Sequence, residues 1–73
     1  MIVYVCVDSR RPDSPNSLRL WRTEERASNI GVKQHKQFYV GPVDVPVYDI
    51  SQAGTYLRKN PHLWQLDDED RLN

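Results

Sequence analysis

The chain has little of what usually stabilises or activates a very small protein. It has 73 residues and a single cysteine, Cys6, so no internal disulfide can form and a structural zinc site with several thiolates is excluded. A reducing compartment fits best, and we expect a cytoplasmic protein. The longest apolar run, Ile2 to Val7, is far below the roughly 20 residues of a membrane helix, and no basic segment precedes it as in a signal peptide. We therefore expect no membrane partner.

The sequence also lacks the common catalytic and ligand-binding motifs. It contains no Gly-rich phosphate loop, no GxSxG turn and no HExxH pair. Cys6, His35 and His62 do not have the paired spacing of zinc ligands. We accordingly predict no cofactor, no metal ion and no enzymatic activity.

Two residues keep an enzymatic hypothesis open. Asp8 follows a predicted central strand, and Cys6 could act as a nucleophile if a histidine approached it and its pKa were lowered. Simpler interpretations favour a turn cap for Asp8 and a small buried apolar side chain for Cys6. A small enzyme built around either residue is therefore only the third hypothesis.

The formal net charge is zero, but the charges are unevenly distributed. Residues 9 to 59 carry nine Lys or Arg against five acids, whereas residues 67 to 70 are four consecutive acids. The body is therefore mildly basic and the C-terminal tail acidic. An excess of this size is compatible with weak attraction to nucleic acid but falls short of the strongly basic balance typical of dedicated nucleic-acid binders.

Two strands are predicted in the first part of the chain. Ile2 to Val7 is β-branched and apolar on both faces, which is typical of a central strand covered on two sides or of a strand in a homo-oligomer contact. Ser9 to Ser17 has two prolines and no apolar residue, so we expect an exposed loop. The alternation in Leu18 to Arg22 predicts a second strand, with Leu18 and Leu20 facing the core.

A short helix is predicted next. Thr23 offers a hydroxyl cap, and Glu24 and Glu25 place carboxylates where the helix dipole favours negative charge. The helix is expected to extend to about Ile30, with Gly31 providing a left-handed stop.

Residues 37 to 60 change from a two-residue apolar period to a helical one. Gly41-Pro42 separates two alternating segments, 38–40 and 43–47, which predicts a hairpin. Asp49 is then the expected N-cap of a second helix that ends at Asn60-Pro61. The predicted buried face of this helix consists of Ile50, Ala53, Gly54 and Leu57.

These elements together predict an α+β fold with a small, mostly antiparallel sheet. The expected order is ββαββα, with two short helices packed on one face of the sheet. We predict one compact domain over residues 1–66, closed by a last helical turn at Pro61 to Leu66, and a frayed acidic tail over 67–73. The similar caps at Thr23 and Asp49 suggest a duplicated ββα unit, although coincidence explains them better because such caps are common.

One group of residues would suit single-stranded nucleic acid, because cations meet phosphates and aromatic faces stack on bases. The alternative is that Trp21 is an edge of the core and the cations form a solvated face. The candidates are Arg10, Arg11, Arg19, Trp21, Arg22, Lys33, His35 and Lys36.

A second group combines aromatic and acidic residues, which suits a protein interface facing a basic partner surface. The equally weighted alternative is that Trp64 pins the C-terminal segment to the core while the acids keep that end soluble. The candidates are Tyr48, Tyr56, Trp64, Asp67, Asp68, Glu69 and Asp70.

The sequence leads to a ranked set of functional hypotheses. The first is a small non-enzymatic binding protein, an inhibitor, adaptor or regulator that occupies a surface of a larger protein or nucleoprotein, with a phage or other mobile element as one conceivable source. The second is a weak nucleic-acid-binding regulator that uses the basic loop and strand. A homo-oligomer formed through Ile2 to Val7 is compatible with either.

Overall fold

A computed structural model describes residues 1–11 and 14–65 and shows an α+β fold around a three-stranded antiparallel sheet. The strands have the spatial order β2-β1-β3. The elements are β1 Ile2–Asp8, β2 Leu18–Trp21, α1 Glu24–Arg26 with a π-helical segment Ala27–Val32, β3 Gln37–Asp44 and α2 Ile50–Lys59, with short 3-10 turns at Pro15–Ser17 and Pro61–Leu63. The predicted fold class is confirmed, but the order is ββαβα.

The predicted hairpin at Gly41-Pro42 is wrong, because β3 continues through both residues as one edge strand. Gly41 has φ +140°, a conformation that favours glycine. The pairing with β1 shifts at this point, since Val5 faces Gly41 while the next residue, Cys6, faces Tyr39. One extra residue on β3 therefore forms a bulge, which bends the strand instead of reversing it. Residues 45–47, predicted as a fourth strand, connect β3 to α2.

The two helices lie on opposite faces of the sheet, not on one face as predicted. Val5 and Cys6 are consecutive in β1, so their side chains point to opposite sides. Val5 belongs to the buried cluster that includes Leu57 of α2. On the other side, the Cys6 Sγ donates to the Ala27 carbonyl oxygen at 3.8 Å. The two faces of β1 thus pack against different helices, which explains why residues 2–7 are apolar on both faces.

Gly31 does not end its helix as a left-handed residue. It lies inside the π-helical segment, and the positive φ angles of the described non-glycine residues are limited to Lys36 at 56°. The role of Gly31 is close packing, because a Cβ atom there would lie 2.8 Å from Trp21 Nε1 and 2.9 Å from Gln37 Oε1. The helix continues for another residue, to Val32.

Helix α2 begins and ends as predicted. The Asp49 carboxylate accepts the Ser51 backbone N–H and the Ser51 hydroxyl, both at 2.7 Å. These bonds from Ser51 hold the pKa of Asp49 below its ordinary value, so the cap is fully formed above the unfolded-state pKa and is lost as the pH falls through the folded-state pKa. Ala53, Gly54 and Leu57 are buried, as the helical pattern predicts.

The segment after α2 returns to the core. Trp64 is only 2% exposed, and its indole Nε1 donates to the Leu57 carbonyl oxygen at 2.6 Å. Leu63, at the end of the preceding 3-10 turn, is partly exposed. Leu66 lies outside the described residues, as does the predicted tail 67–73.

β1 is the central strand of the sheet, paired on both edges. Its backbone therefore has no edge open to a strand of a second copy. The homo-oligomer contact through Ile2 to Val7 stays a prediction, and Ile2 is 53% exposed. None of the helices in the described ranges has the length and apolar character needed to cross a membrane.

Candidate functional site

The exposed side of α2 carries two open, concave regions. Ser51 and Thr55 form a ridge on the outer side of the helix, and a concave region lies on each flank of it. One flank faces the segment 45–48 and the other faces strand β2. We refer to this ridge, its two flanks and Tyr48 as the α2 surface.

The flank towards the segment 45–48 is a hollow of about 520 Å³ with Val47 and Tyr56 in its lining. Lys59 places a cation at one part of its rim. Tyr48 is 96% exposed beside Val47. A ring left in water in this way contributes no burial to the fold, so its apolar area is available to a partner.

The backbone that presents Tyr48 is held from the side of β1. Val45 is buried and donates its N–H to the Met1 carbonyl oxygen at 2.8 Å. The amino group of Met1 donates in turn to the carbonyl oxygens of Val45 at 2.7 Å and Val47 at 3.0 Å. A ring on an anchored backbone loses less freedom on binding than one on a loose loop.

The flank towards β2 is a groove, also of about 520 Å³. Apolar side chains and two arginines line it, and a Cβ atom at Gly54 of α2 would lie 3.7 Å from Leu20 Cδ1 of β2. The residues that concern its chemistry are Leu18, Arg19, Leu20, Ile50, Gly54 and Arg58.

The predicted protein-interaction residues are separated by the structure. Tyr48 and the half-buried Tyr56 belong to the α2 surface. Trp64 is packed in the core and is therefore not exposed to a partner in this conformation. The acidic residues Asp67, Asp68, Glu69 and Asp70 lie outside the described residues.

Four of the predicted nucleic-acid residues come together at one end of the sheet. Arg10 and Arg11 follow β1, while His35 and Lys36 precede β3. Asp8 at the end of β1 is opposite Gln37 at the start of β3, so the pair after β1 and the pair before β3 lie at the same end of the sheet. Arg10 and Arg11 also line a hollow of about 280 Å³ in the loop after β1.

The remaining members of that set lie elsewhere or have other partners. The backbone of Trp21 is opposite Tyr4 in the middle of β1, and its indole Nε1 donates to Gln37 Oε1 at 3.3 Å. Arg22 follows Trp21, whereas Lys33 begins the turn after the π-helical segment. Trp21 is half-buried, so its ring is less available for stacking than the sequence suggests.

Phe38 is an exposed aromatic residue outside both groups of candidates predicted from the sequence. It is 57% exposed and opposite Val7, near the basic end of the sheet. Its place in an alternating strand predicts burial, but Phe38 is not part of the core cluster. Exposure at this position depends on how much of the edge strand the rest of the chain packs against. An alternating sequence pattern does not predict this.

Most charges of the described residues are not paired with one another. These residues contain nine Lys or Arg and five Asp or Glu. Within ranges 1–11 and 14–65, the one ion pair joins the Met1 amino group and Asp44 at 3.7 Å. The cations therefore remain available to an acidic partner or to solvent.

Cys6 and Asp8 acquire no feature that favours catalysis. Cys6 is fully buried, and burial raises the pKa of its thiol although a hydrogen bond with Trp21 opposes this. The thiolate is the reactive form, so these conditions disfavour a nucleophile. An Asp8 carboxylate oxygen accepts the Arg10 backbone N–H at 2.8 Å, as in a turn cap. Across the described ranges, no three His, Cys, Asp or Glu residues are grouped so that they could hold a metal ion.

Comparison of the chain with protein-family models, with curated proteins and with solved structures finds no match.

Proposed function

We propose that the protein is a non-enzymatic binding protein whose α2 surface occupies a complementary surface of a larger protein. The observation that carries this proposal is the 96% exposure of Tyr48. Tyr48 directly follows Val47, which lines a hollow together with Tyr56. Tyrosine is enriched among the residues that dominate binding energy, and such residues insert into desolvated pockets of the partner.

The surface combines the two parts of a protein interface. Tyr48 and the adjacent hollow provide an aromatic anchor and a concave apolar area. Ser51, Gln52 and Thr55 line the hollow with exposed polar groups, which is the usual character of an interface rim. Such a protein would act by covering the partner, as an inhibitor, adaptor or regulator does.

Tyr48→Ala should abolish or strongly weaken capture of the partner while leaving the fold intact. Loss of a central aromatic anchor typically costs 2 kcal/mol or more of binding free energy. The exposed ring makes little contribution to folding, so the free energy of unfolding should change by no more than about 0.5 kcal/mol. The measurement is quantitative affinity capture from the native host with wild-type and variant bait, together with thermal melts.

Phe38→Ala is the matched control, because it removes an exposed aromatic ring outside the α2 surface. It should leave the captured partner at the wild-type level. Equal capture by wild type and Tyr48→Ala, with both folded, would remove Tyr48 from the interface. Loss of the same partner with Phe38→Ala but not with Tyr48→Ala would move the interface to the other site.

A second candidate function is nucleic-acid binding at the basic end of the sheet. It is supported by the convergence of Arg10, Arg11, His35 and Lys36 at that end and by the nearby exposed ring of Phe38. Cations neutralise phosphates and an aromatic face can stack on an unpaired base. The Asp8 carboxylate lies in the same region and weakens the attraction.

If this second function holds, Arg10→Ala combined with Arg11→Ala should weaken oligonucleotide binding and flatten its dependence on salt. The reason is that each neutralised phosphate releases condensed counterions, with a slope of about −0.7 per contact on single strands. Fluorescence anisotropy with labelled single- and double-stranded oligonucleotides over a salt series measures both effects. Absence of binding to either oligonucleotide at low salt would eliminate this candidate.

A further inference from the structure

We propose that the groove between β2 and α2 binds an extended, acidic peptide segment of the protein partner, aligned along the free edge of β2. This inference rests on the proposed protein-binding function and specifies the chemistry of one part of its surface. Three features support it: a strand edge with a free backbone position, apolar walls, and arginines without acidic partners.

The hydrogen bonds of Leu18 show which way the backbone of β2 points. The Leu18 N–H donates to the Pro15 carbonyl oxygen, and the Leu18 carbonyl oxygen accepts Arg19 Nη1 at 2.9 Å. Leu18 therefore directs its backbone away from β1. Successive residues of an antiparallel strand alternate in direction, so Arg19 bonds to β1 and Leu20 again points outward.

The N–H and C=O groups of Leu20 are thus directed to the side that no strand of the sheet covers. An extended peptide can pair with these groups and continue the sheet, which is a recurrent mode of peptide recognition. The opposite sheet edge is less suitable, because Pro42 lies in β3 without an N–H to donate and the strand is bulged.

The walls of the groove suit alternate side chains of such a peptide. Leu20 lines the strand side and Ile50 the helix side. Every second side chain of an added strand points to the same face, so apolar side chains of the peptide would contact these two residues. The absence of a side chain at Gly54 allows Arg58 Nη1 to lie within 3.2 Å of the position that a Cβ atom would occupy.

The charge of the groove selects acidic peptides. Arg19 and Arg58 line it, and no acidic residue does. Arg19 Nη1 is also held by the Asn16 carbonyl oxygen at 2.8 Å, so its guanidinium is positioned without being neutralised. Carboxylates of the peptide would form charge-assisted hydrogen bonds with these arginines. The lining includes no aromatic ring for base stacking, which favours a polypeptide over a single-stranded nucleic acid.

The test begins with a phage-displayed library of random dodecapeptides selected against the wild-type protein. We expect enriched sequences that alternate acidic and β-branched residues. The most enriched peptide, synthesised with a fluorescent label, should bind about tenfold or more weakly to Arg58→Glu, because the charge reversal repels its carboxylates. Arg11→Glu is the matched control, since it makes the same charge change outside the groove, and it should retain wild-type affinity. Thermal melts verify that both variants are folded.

Backbone pairing is tested on the peptide, which leaves the protein unchanged. N-methylation of alternate peptide amides removes donors on one edge, so one of the two alternating series should weaken binding strongly and the other much less. Equal affinities for both series would overturn the added-strand geometry. Two results would contradict the groove as the site for acidic peptides. They are enriched peptides without acidic residues, and equal affinity of the best peptide for Arg58→Glu and the wild type.

Two further outcomes separate this inference from the proposed function. If no groove-dependent peptide is found while capture of a protein partner still depends on Tyr48, the groove inference fails and the proposed function stands. If unlabelled oligo-dT competes with partner capture and binds in a manner that depends on Arg58, the groove is a nucleic-acid site and the peptide inference is wrong.

Discussion

Trp64→Ala should be among the most damaging single substitutions in this protein. Truncation of a buried tryptophan typically costs about 3 to 5 kcal/mol of unfolding free energy, and small domains have little stability to lose. Trp64 is 2% exposed and packs within the same cluster as Leu57 and the valines of β1. Urea or thermal unfolding followed by circular dichroism should show a large shift or an unfolded variant.

Trp64→Phe separates the packing of the ring from its hydrogen bond. Phenylalanine keeps an aromatic ring but cannot donate to the Leu57 carbonyl oxygen, the partner of Trp64 Nε1 at 2.6 Å. We expect a smaller loss than for alanine, because most of the apolar contact survives. An unfolding midpoint for Trp64→Ala equal to that of the wild type would contradict the buried position of this residue.

Gly31→Ala should be strongly destabilising, although alanine is normally the better helix residue. The added Cβ would lie 2.8 Å from Trp21 Nε1, 2.9 Å from Gln37 Oε1 and 3.1 Å from Cys6 Sγ. Overpacking of a close-packed region typically costs about 1 to 3 kcal/mol. The variant should therefore unfold at a lower temperature, and the indole fluorescence of Trp21 should change because its hydrogen bond to Gln37 is disturbed.

Gly54→Ala is the matched control, because it makes the same chemical change in the other helix. The nearest atom to its Cβ would be Arg58 Nη1 at 3.2 Å, the end of a flexible side chain, and Leu20 Cδ1 would be at an ordinary 3.7 Å. The gain of about 1 kcal/mol in helix propensity should therefore prevail. We expect opposite shifts in melting temperature for the two alanine variants, and equal shifts in one direction would show that Gly31 is not closely packed.

Core and surface variants should therefore behave differently. Leu57 is on the buried face of α2 and Trp64 belongs to the same core cluster, whereas Tyr48 and Arg58 are exposed. A substitution of the first kind lowers binding only in proportion to the fraction unfolded. A substitution of the second kind lowers binding of a protein that remains folded. Binding measured on folded variants therefore tests the proposed function separately from stability.

The amino-acid sequence alone determined the local elements whose signals are short-range. Strand β1 was predicted correctly from its β-branched run, β2 from its alternation, and the start of α2 from the Asp49 cap. Each depends on residues within a few positions of one another, such as the Asp49 carboxylate and the Ser51 N–H. The prediction that the apolar β1 is covered on both sides is also confirmed, because its two faces pack against different helices.

The tertiary structure decided where these elements lie relative to one another. A Gly-Pro pair between two apolar segments is compatible with a turn or with a bulged edge strand, and pairing with β1 selects the second. A glycine near a helix end is compatible with a left-handed stop or with close packing, and the approach of Trp21 to Gly31 selects the second. In both cases the deciding partner is distant in sequence.

The candidate site also depends on contacts between residues that are distant in sequence. The aromatic residue Tyr48 could be selected from the sequence, but its exposure and the burial of Trp64 depend on how the chain closes around its core. The groove could not be found, because its walls come from β2 and α2, which are separated by the π-helical segment and β3. Local sequence signals specify a strand and a helix, whereas the space between them exists only once long-range packing has placed the two side by side.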